Sequence, residues 1–493
     1  MSEIKYNKIK YNKINFLILA FIIVLFIFIS YNTSNGRDWD IKGKVSNNFG
    51  VPLNRDIDND GDLDSAVILS SLSFKNLESV LFDSMGIDDN GNIYILGEYN
   101  QHKPNYDNNF YVIKINSDGK IDKTFENNIT NVIKKICSNK EDEFGESIFV
   151  KSNALFVRVE NFKNHDYIIK LNSDGNIDTK FGNNGLVDIQ NIIKLGYGKY
   201  AADTIYVDNK GRVYVIGNFV NQNNVCVIRL NEDGNLDNTF GDRGIILIDN
   251  IVSKMSVDSA NSIYVDNEGK IYITGDSFNP DNWTTSVFVA KINEDGSMDN
   301  TFGNNGIVII PHITFSEDKI SDSDKMINPI GRSIYVDSND NIYVAGITNN
   351  EAYFDLFIVK LNKNGNLDNT FGNNGKVIIN DIKGKDWNKY PYSICVDNQG
   401  KVYITGTSMK GTLYSLKGPI TSFAFVIRLN SDGKLDNTFG KNGKLLLNSV
   451  AGGNQMLDSG ESMCLDNKGN LYIGGSSFNS LKRRYYAFVI KIE

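Results

Sequence analysis

Short apolar runs recur along most of the chain, and each is bounded by Asn, Asp and Gly. The runs are rich in β-branched and aromatic residues, as in Ile-Tyr-Val and Ile-Tyr-Ile, and they are too short for helices. Many consecutive runs are joined by Asp-Asn-x-Gly, in which Gly permits the positive φ of a tight hairpin. The pattern therefore predicts an all-β protein built from hairpins.

The runs belong to a repeat of about 60 residues. Its first half reads Ser-Ile-Tyr-Val-Asp-Asn-x-Gly-Lys-Ile-Tyr-Ile-Thr-Gly, and its second half contains Phe-Val-x-Lys-Ile, Asp-Gly-x-Leu-Asp and Phe-Gly-x-x-Gly. Copies of the first half occur at 86–97, 146–157, 204–217, 262–275, 333–346, 393–406 and 462–475. Each unit supplies four strands, a to d in chain order. Seven such units predict a seven-bladed β-propeller of four-stranded blades.

The two ends of the repeat region complement each other. The seventh unit ends after its strand c, Phe488–Ile492, and lacks the Asp-Gly turn and strand d. Those parts occur near the N-terminus, as Asp60–Asp64 followed by Ala66–Leu69. We therefore expect an N-terminal strand to complete the last blade, in a single propeller domain over residues 54–493 that follows a linker at 37–53.

Two motifs carry a resemblance to known repeats. Asp-Gly-x-Leu-Asp-x-x-Phe-Gly-x-x-Gly, at Asp233–Gly244 and Asp432–Gly443, resembles the bacterial delta-60 repeat of the DUF5122 type, a propeller family of unknown function. The Val-Asp-x-x-Gly half is similar to SBBP and NHL propeller repeats. The resemblance implies strand a innermost and strand d outermost, and it brings no catalytic residues. The chain departs from it in its degenerate second unit, at Asn364, and at Phe125-Glu126, where Phe-Gly is lost.

A basic flank and an apolar run precede the repeats. Four lysines lie within the first 13 residues, and Phe16–Ile29 is entirely apolar. This run is short for a spanning helix of about 20 residues but has the length of a signal-peptide core. An uncleaved membrane anchor, a cleaved signal peptide and a buried core helix all fit residues 1–36. The first two predict an N-terminus in the cytoplasm and an exported propeller, which is anchored in the cell membrane or secreted.

The charge balance restricts the partners. The chain has 51 basic and 59 acidic residues, a net charge of -8, whereas phosphate binding requires clustered Lys and Arg. Residues 37–493 retain 47 of the basic and 58 of the acidic residues, a net charge of -11. The exported part is therefore expected to bind neither nucleic acid nor anionic lipid, and to contact the membrane only through the N-terminal segment.

The cysteines are expected to be buried free thiols. They are far apart and have no C-x-x-C spacing. Cys395 and Cys464 occupy the repeat position that holds Tyr206 and Tyr264 in other units, which is typical of packing. The other two cysteines are Cys137 and Cys226.

The connections between strands fall into two classes. The a–b and c–d turns are nearly constant, whereas the b–c and d–a connections vary and should open on the same face, because strands alternate in direction. Aromatic side chains there could bind a carbohydrate or a protein, although packing within loops is the alternative. The candidate residues are Trp283, His312, Phe315, Trp387, Tyr390 and Tyr414.

One acidic segment is a candidate calcium site. Carboxylates alternate at Asp56, Asp58, Asp60, Asp62 and Asp64, with a Gly in the sixth position, and hard cations prefer such oxygen ligands. The twelfth position is Val rather than the Glu of an EF-hand, so the segment is more similar to the calcium loops of FG-GAP and dockerin-like repeats. The alternative is an acidic copy of the structural turn. The other c–d turns have fewer carboxylates and are interpreted as Asx-type turns.

Catalytic motifs are scarce in this sequence. The three histidines, His102, His165 and His312, have no metal-ligand spacing, and Gly-x-Ser-x-Gly, His-Glu-x-x-His and the P-loop are absent. The sequence therefore predicts a non-catalytic, exported binding module for a protein or glycan of the cell envelope or exterior. The alternatives are a glycan hydrolase or lyase, which a central funnel lined by ionisable groups would favour, and a structural envelope component.

Overall fold

A computed structural model describes residues 49–52, 65–69, 77–101, 108–136, 143–161, 165–193, 200–219, 223–310, 313, 328–350, 353–410, 420–453 and 456–492. These residues form seven antiparallel sheets in chain order. Each sheet contacts the next, and the seventh contacts the first, which confirms the predicted seven-bladed propeller. The first strands of neighbouring blades contact each other all around the ring, so strand a is innermost.

The strands follow the repeat closely. Two strands precede the first blade: β1 Val51–Pro52 and β2 Ser65–Leu69. The first three blades contain β3 Leu77–Ile87, β4 Ile93–Gln101, β5 Asn108–Ile115; β6 Glu143–Lys151, β7 Ala154–Asn161, β8 Asp166–Asn172, β9 Leu186–Asp188; and β10 Tyr200–Val207, β11 Val213–Phe219, β12 Val225–Leu230, β13 Ile245–Ile248. The fourth and fifth contain β14 Val257–Val265, β15 Ile271–Asn279, β16 Thr284–Ile292, β17 Ile307–Ile310; and β18 Ile330–Val336, β19 Ile342–Asn350, β20 Tyr353–Leu361, β21 Lys376–Ile379. The last two contain β22 Asn388–Val396, β23 Val402–Lys410, β24 Thr421–Leu429, β25 Lys444–Leu447; and β26 Asp458–Leu465, β27 Leu471–Asn479, β28 Arg484–Ile492.

The N-terminal segment closes the ring as predicted. Strand β2 pairs antiparallel with β28, with Val67 opposite Val489 and Ile68 opposite Phe488. Strand β1 then pairs with β2, so the seventh blade has five strands. The seventh blade thus contains strands from both ends of the described chain, and this pairing holds the ring closed.

The first blade differs from the prediction, because helix α1 (Lys123–Ile136) follows its c–d turn instead of a strand d. In other blades the Gly of Phe-Gly has a positive φ, as at Gly182 and Gly241 (both 53°), and Glu126 replaces that Gly here. The Asp122 carboxylate accepts the backbone N–H groups of Thr124 and Phe125 and so caps the helix. A second short helix, α2 (Ile189–Ile192), follows β9.

Backbone hydrogen bonds between successive c–d turns tie the blades together. The N–H of Gly182 donates to the carbonyl of Asp233 over 2.7 Å, and Gly372 donates to Asp432 over 2.8 Å. The Asp233 carboxylate accepts the N–H two residues later, which confirms the Asx-type turn. In the fifth blade, where Asn364 replaces Asp, the Asn362 side chain takes this role.

The predictions on the cysteines and on the N-terminal segment concern residues that are only partly described. Cys226 and Cys395 are buried and Cys464 is half-buried, and all three are free thiols as predicted, whereas Cys137 lies outside the described ranges. Residues 1–36 and residues 37–48 of the predicted linker (37–53) also lie outside them, whereas residues 49–52 are described. Within the described part of the chain, no helix has both the length and the apolar character needed to cross a membrane.

Candidate functional site in the central channel

A β-bulge interrupts the innermost strand of every blade. In the third blade, pairing with β11 passes from Ala202 to Thr204 and leaves Asp203 without a partner in the ladder. Bulges concentrate at sites where a side chain is re-aimed. Because these strands surround the axis, the seven bulge residues meet around the central channel. They are Asp83, Glu146, Asp203, Asn261, Arg332, Tyr392 and Glu461.

The repeat itself encodes the bulge through the glycine of Ile-Thr-Gly in strand b. A Cβ atom on Gly217 would lie 2.1 Å from the carbonyl oxygen of Ala201, and one on Gly275 would lie 1.8 Å from that of Ser259. Only glycine fits beside the displaced backbone. In the degenerate second blade the glycine is on the other strand, where Gly145 pairs with Val159.

In several blades the serine after the bulge residue connects neighbouring blades. The Ser262 hydroxyl accepts the N–H of Ile334 over 3.2 Å, and the Ser333 hydroxyl accepts that of Ile394 over the same distance. These bonds fix the backbone on the C-terminal side of the bulge. The bulge side chains are therefore held on a rigid ring rather than on mobile loops.

Carboxylates crowd one side of the channel in what we name the acidic arc, made of Glu461, Asp83, Glu98 and Glu146. Burial, followed by repulsion from the other three members of the arc, raises the pKa of Asp83 well above its usual range. Burial and repulsion from Glu146 raise the pKa of Glu98 to about 8. Burial also raises the pKa of Glu461 to about 8, although hydrogen bonds from Ser459 and Ser476 oppose this. Glu98 and Glu461 therefore retain protons near neutrality.

A buried arginine stands beside the arc. Arg158, on β7, donates to Asp166 over 2.5 Å, to Glu146 over 3.1 Å and to the carbonyl of Asp203 over 3.2 Å. Burial raises the pKa of Asp203 to about 7 against the attraction of Arg158. The Asp203 residue is nevertheless exposed, so solvent enters the channel at this point.

The opposite side of the channel contains the bulge residues Arg332 and Tyr392. The Arg332 charge acts on Asp276, which also accepts a hydrogen bond from Asn261 over 3.1 Å. Burial nevertheless raises the pKa of Asp276 to about 6. The Nε atom of Arg332 is buried and has no hydrogen-bond partner among the described residues. The channel therefore has an acidic side and a side with one cation.

The ring opens toward the face that carries the b–c and d–a connections, here named the loop face. Asp203 is in the first half of its strand, close to the d–a connection, and Asp276 follows Gly275 toward the b–c turn. The two kinds of connection do share a face: the Asn479 side chain donates to the carbonyl of Ala451 over 2.7 Å. This contact confirms the predicted arrangement of the loops.

The predicted binding-face residues have different environments. Trp283 is 74% exposed in a short turn, with its ring 5.9 Å from that of Phe278. Trp387 is buried against Phe423, and Tyr390 is half-buried beside Phe354. His312, Phe315 and Tyr414 lie outside the described residues. Strands b and c are longer than the repeat predicts, so part of the expected loops is strand.

The loop face also carries most of the exposed apolar side chains. Six large hydrophobic residues are exposed among the described residues, and only Ile309 lies on an outer strand. The other five lie in b–c or d–a connections or at their boundaries: Met255, Trp283, Tyr353, Met456 and Leu481.

The candidate calcium ligands Asp56, Asp58, Asp60, Asp62 and Asp64 lie outside the described ranges. Within those ranges no group of three or more His, Cys, Asp or Glu side chains is arranged to hold a metal ion. The described histidine, His165, lies 3.3 Å from the Asp188 carboxylate and stacks near Tyr167.

Sequence reasoning missed the channel residues, although a signal for them exists. In every copy of the repeat, the residue directly before the Ser (Thr in the third unit) is polar, whereas the strand positions after it include the apolar core. This position reads Asp, Glu, Asp, Asn, Arg, Tyr, Glu from the first to the seventh unit. The residue type at this position varies while its place in the structure is constant, which is typical of a binding site built on a repeated scaffold.

The described fold and its polar channel define a seven-bladed β-propeller. The sequence model of the family described as "Domain of unknown function (DUF5122) beta-propeller" matches residues 89–125, 211–240, 268–302, 338–371 and 421–439. The repeats of this seven-bladed β-propeller thus match the DUF5122 type, as its motifs predicted. No curated protein matches the chain in sequence.

Several solved structures are similar to this chain at low sequence identity. A protein of unknown function from Dyadobacter fermentans is 10% identical, covers 87% of this chain and 97% of its own, and has a TM-score of 0.40. The β-propeller domain of the Trilobed protease from Pyrococcus furiosus is 9% identical over 84% and 94% of the two chains, with a TM-score of 0.41. A polysaccharide lyase, an ulvan lyase, is 14% identical over 68% and 77%, with a TM-score of 0.39. These similarities have no bearing on ligand or activity.

Proposed function

We propose that this protein is an exported, membrane-anchored or secreted binding module whose loop face binds a protein or glycan of the cell envelope or exterior without chemical change. The observation that supports this function is the concentration of exposed apolar side chains on that face. Exposed apolar groups on an otherwise polar surface are typical of interaction sites. The lysines and the apolar run within residues 1–36 support export.

Two turns illustrate how the face varies on a constant scaffold. In the fourth blade the Asn279 side chain accepts the N–H of Asp281, and in the seventh blade the Asn479 side chain accepts that of Leu481. The fifth residue of both turns has a positive φ, 59° at Trp283 and 55° at Arg483. The backbone is therefore the same, whereas the side chains offered to a ligand differ. Such variation suits recognition better than a shared structural role.

The exposed aromatic side chain provides the first test. The purified full chain would be screened against arrays of glycans and of envelope proteins, and each hit would be measured again with Trp283→Ala. We expect an affinity loss of about tenfold or more, because a large aromatic side chain often dominates a binding site. Ile309→Ser is the matched control, since Ile309 is also exposed but lies on strand d. Equal affinities for all three proteins would refute the loop-face assignment.

A second candidate function is acid–base catalysis on a glycan, as in a hydrolase or lyase. The observation that favours it is the pKa of Glu98 and Glu461, raised to about 8 beside other carboxylates. A carboxyl group that is still protonated at neutral pH can donate its proton to a leaving group.

An activity screen distinguishes this candidate from simple binding. Polysaccharides incubated with the protein would be analysed for new reducing ends and for the ultraviolet absorbance of an unsaturated product. Catalysis predicts that Glu98→Gln or Glu461→Gln abolishes turnover, while Asp432→Asn, on the opposite face, retains it. Polysaccharides that stay intact under all conditions would eliminate the enzyme and leave the binding module.

A further inference from the structure

We propose that the central channel is a binding site for an organic cation, an ammonium or guanidinium group, held by Asp83, Glu98 and Glu461. This inference goes beyond the proposed function, because it assigns a site and a ligand chemistry on the channel axis. The observations that carry it are the composition of the acidic arc, an unpartnered buried oxygen and the geometry of the carboxylates.

Within the described residues, the groups that face Asp83 bear no positive charge. Strand β4 contributes Glu98, β6 contributes Glu146, and β26 contributes Glu461. Strand β5 contributes Tyr111, whose hydroxyl is already donated to the carbonyl of Leu81 over 2.7 Å. The buried cation Arg158, which contacts Glu146 of the arc, is engaged by Asp166, Glu146 and a backbone carbonyl. When the carboxyl groups of the arc ionise, none of these groups is therefore placed to neutralise their negative charge.

One oxygen in the arc has a specific need for a donor. Oδ2 of Asp83 is completely buried and has no hydrogen-bond partner in the described part of the chain. Leaving a buried acceptor unpaired is costly, because the atom loses its hydrogen bonds to water, so such atoms are rare in folded proteins. An ammonium group brings three N–H donors and a guanidinium brings five, and either can bond several carboxylates at once.

The geometry favours an organic cation over a metal ion. Calcium needs six to eight oxygens at about 2.3–2.6 Å. The described carboxylates form no cluster of three with metal-binding geometry, even though four of them repel one another electrostatically. The opening of the channel at the exposed Asp203 provides access from solvent.

Binding should be linked to proton release. A cation stabilises ionised carboxylates, whereas burial raises the pKa of both Glu98 and Glu461 to about 8, with added repulsion from Glu146 in the case of Glu98. The ligand must therefore displace protons when it binds below that pH. The affinity of the channel for the cation should therefore rise with pH between about 6 and 8.5. A site made of surface carboxylates would show no such rise, because their ionisation is already complete in this range.

The cation could come from a free polyamine or from a lysine side chain of a protein. Both present the same ammonium group, so the probes are spermidine and the tripeptide Ala-Lys-Ala. Each would be titrated into the purified full chain by calorimetry at two pH values. Titrations in two buffers of different ionisation enthalpy would give the number of protons released.

The proposal predicts saturable binding with one site, release of protons, and affinity that rises about tenfold over the pH range. Asp83→Asn and Glu98→Gln should each weaken binding by about tenfold, whereas Asp432→Asn, an exposed carboxylate on the opposite face, should not. Both channel variants remove charge that is unfavourable in the fold, and thermal melts would verify that they are folded. Binding of spermidine alone identifies a free amine as the ligand, and binding of the peptide alone identifies a protein side chain.

Two results would overturn the proposal. One is the absence of saturable binding of either probe, and the other is equal weak binding by the channel variants and Asp432→Asn, which indicates unspecific charge attraction. The loop-face function is independent of both results, because its test depends on Trp283→Ala. A ligand that requires Trp283 but not Asp83 would leave that function intact.

Discussion

The rings of Phe49 and Tyr472 pack edge to face, with centroids 5.5 Å apart and planes at 65°, and so join the two ends of the propeller. The same pairing occurs within other blades, for example between Tyr214 and Phe240 at 6.1 Å. There the phenylalanine comes from the Phe-Gly motif of the same unit. In the last blade the N-terminal segment supplies it, so ring closure depends on side-chain packing as well as on strand pairing.

Phe49→Ala is expected to lower the free energy of unfolding by about 3 kcal/mol. Phe49 is buried, and removing a buried phenyl group loses transfer free energy and leaves a cavity. Urea denaturation followed by tyrosine fluorescence measures the change. Trp283→Ala is the control and should leave stability unaltered, because that side chain is exposed. Equal stability of both variants would contradict the role of Phe49 in closure.

Gly275→Ala should be far more destabilising than Gly469→Ala. A Cβ at Gly275 would lie 1.8 Å from the Ser259 carbonyl, so the bulge itself must move. Gly469 has open space around it, and alanine there pays only the cost of its positive φ, about 1–2 kcal/mol. We expect the first change to exceed about 3 kcal/mol. A similar loss in both variants, measured by chemical denaturation, would show that the bulge tolerates a side chain.

Asp166→Ala should destabilise the fold by about 3 kcal/mol, because it leaves Arg158 buried without its main partner. The two side chains are each 2% exposed, and Asp166 also accepts the N–H of Ala202 over 3.0 Å. The exposed pair of Lys434 and Asp432 offers a control, and Lys434→Ala should not change stability measurably. Comparable unfolding midpoints for the two variants would be inconsistent with this view of the buried pair.

Stability should fall as pH rises from about 5 to about 8. The pKa of Glu98 is raised from its usual 4.5 to about 8, so the native state retains a proton that the unfolded chain releases in this window. Glu98→Gln removes the contribution, and its melting temperature should exceed that of the parent by a margin that grows with pH. Asp432→Asn, whose carboxyl pKa is lowered by hydrogen bonds with Lys434, should show no such gain. A margin for Glu98→Gln that is constant with pH would refute the shift.

Calcium should raise the melting temperature of the full chain if the alternating carboxylates of Asp56–Asp64 bind it, because a ligand that binds only the folded state stabilises it. We expect a rise with added calcium that Asp58→Ala abolishes, measured by differential scanning calorimetry. Magnesium at the same concentration controls for ionic strength. The same melting temperature with and without calcium would eliminate this site.

The repeat determined the blades because its information is local. Asp-x-x-Gly fixes the a–b hairpin in five of the seven units, and the apolar runs are long enough for one strand each. The closure of the ring was also readable, because the parts missing after Ile492 reappear before Leu69. The helix in the first blade was not predicted, although its cause is visible in the sequence: Glu126 replaces the glycine that turns the chain elsewhere.

The channel became visible only in the folded protein. Asp83, Glu146 and Glu461 belong to different units, and no pattern along the chain reveals that closing the ring brings them together. Likewise, Trp387 looks like a loop aromatic in sequence but is buried against Phe423, because burial depends on neighbours that are distant in the chain. The sequence by itself therefore determined the strands, their order and their closure, which depend on local backbone chemistry. Only the tertiary structure decided which polar side chains meet on the axis, because their pKa values and partners depend on contacts between blades.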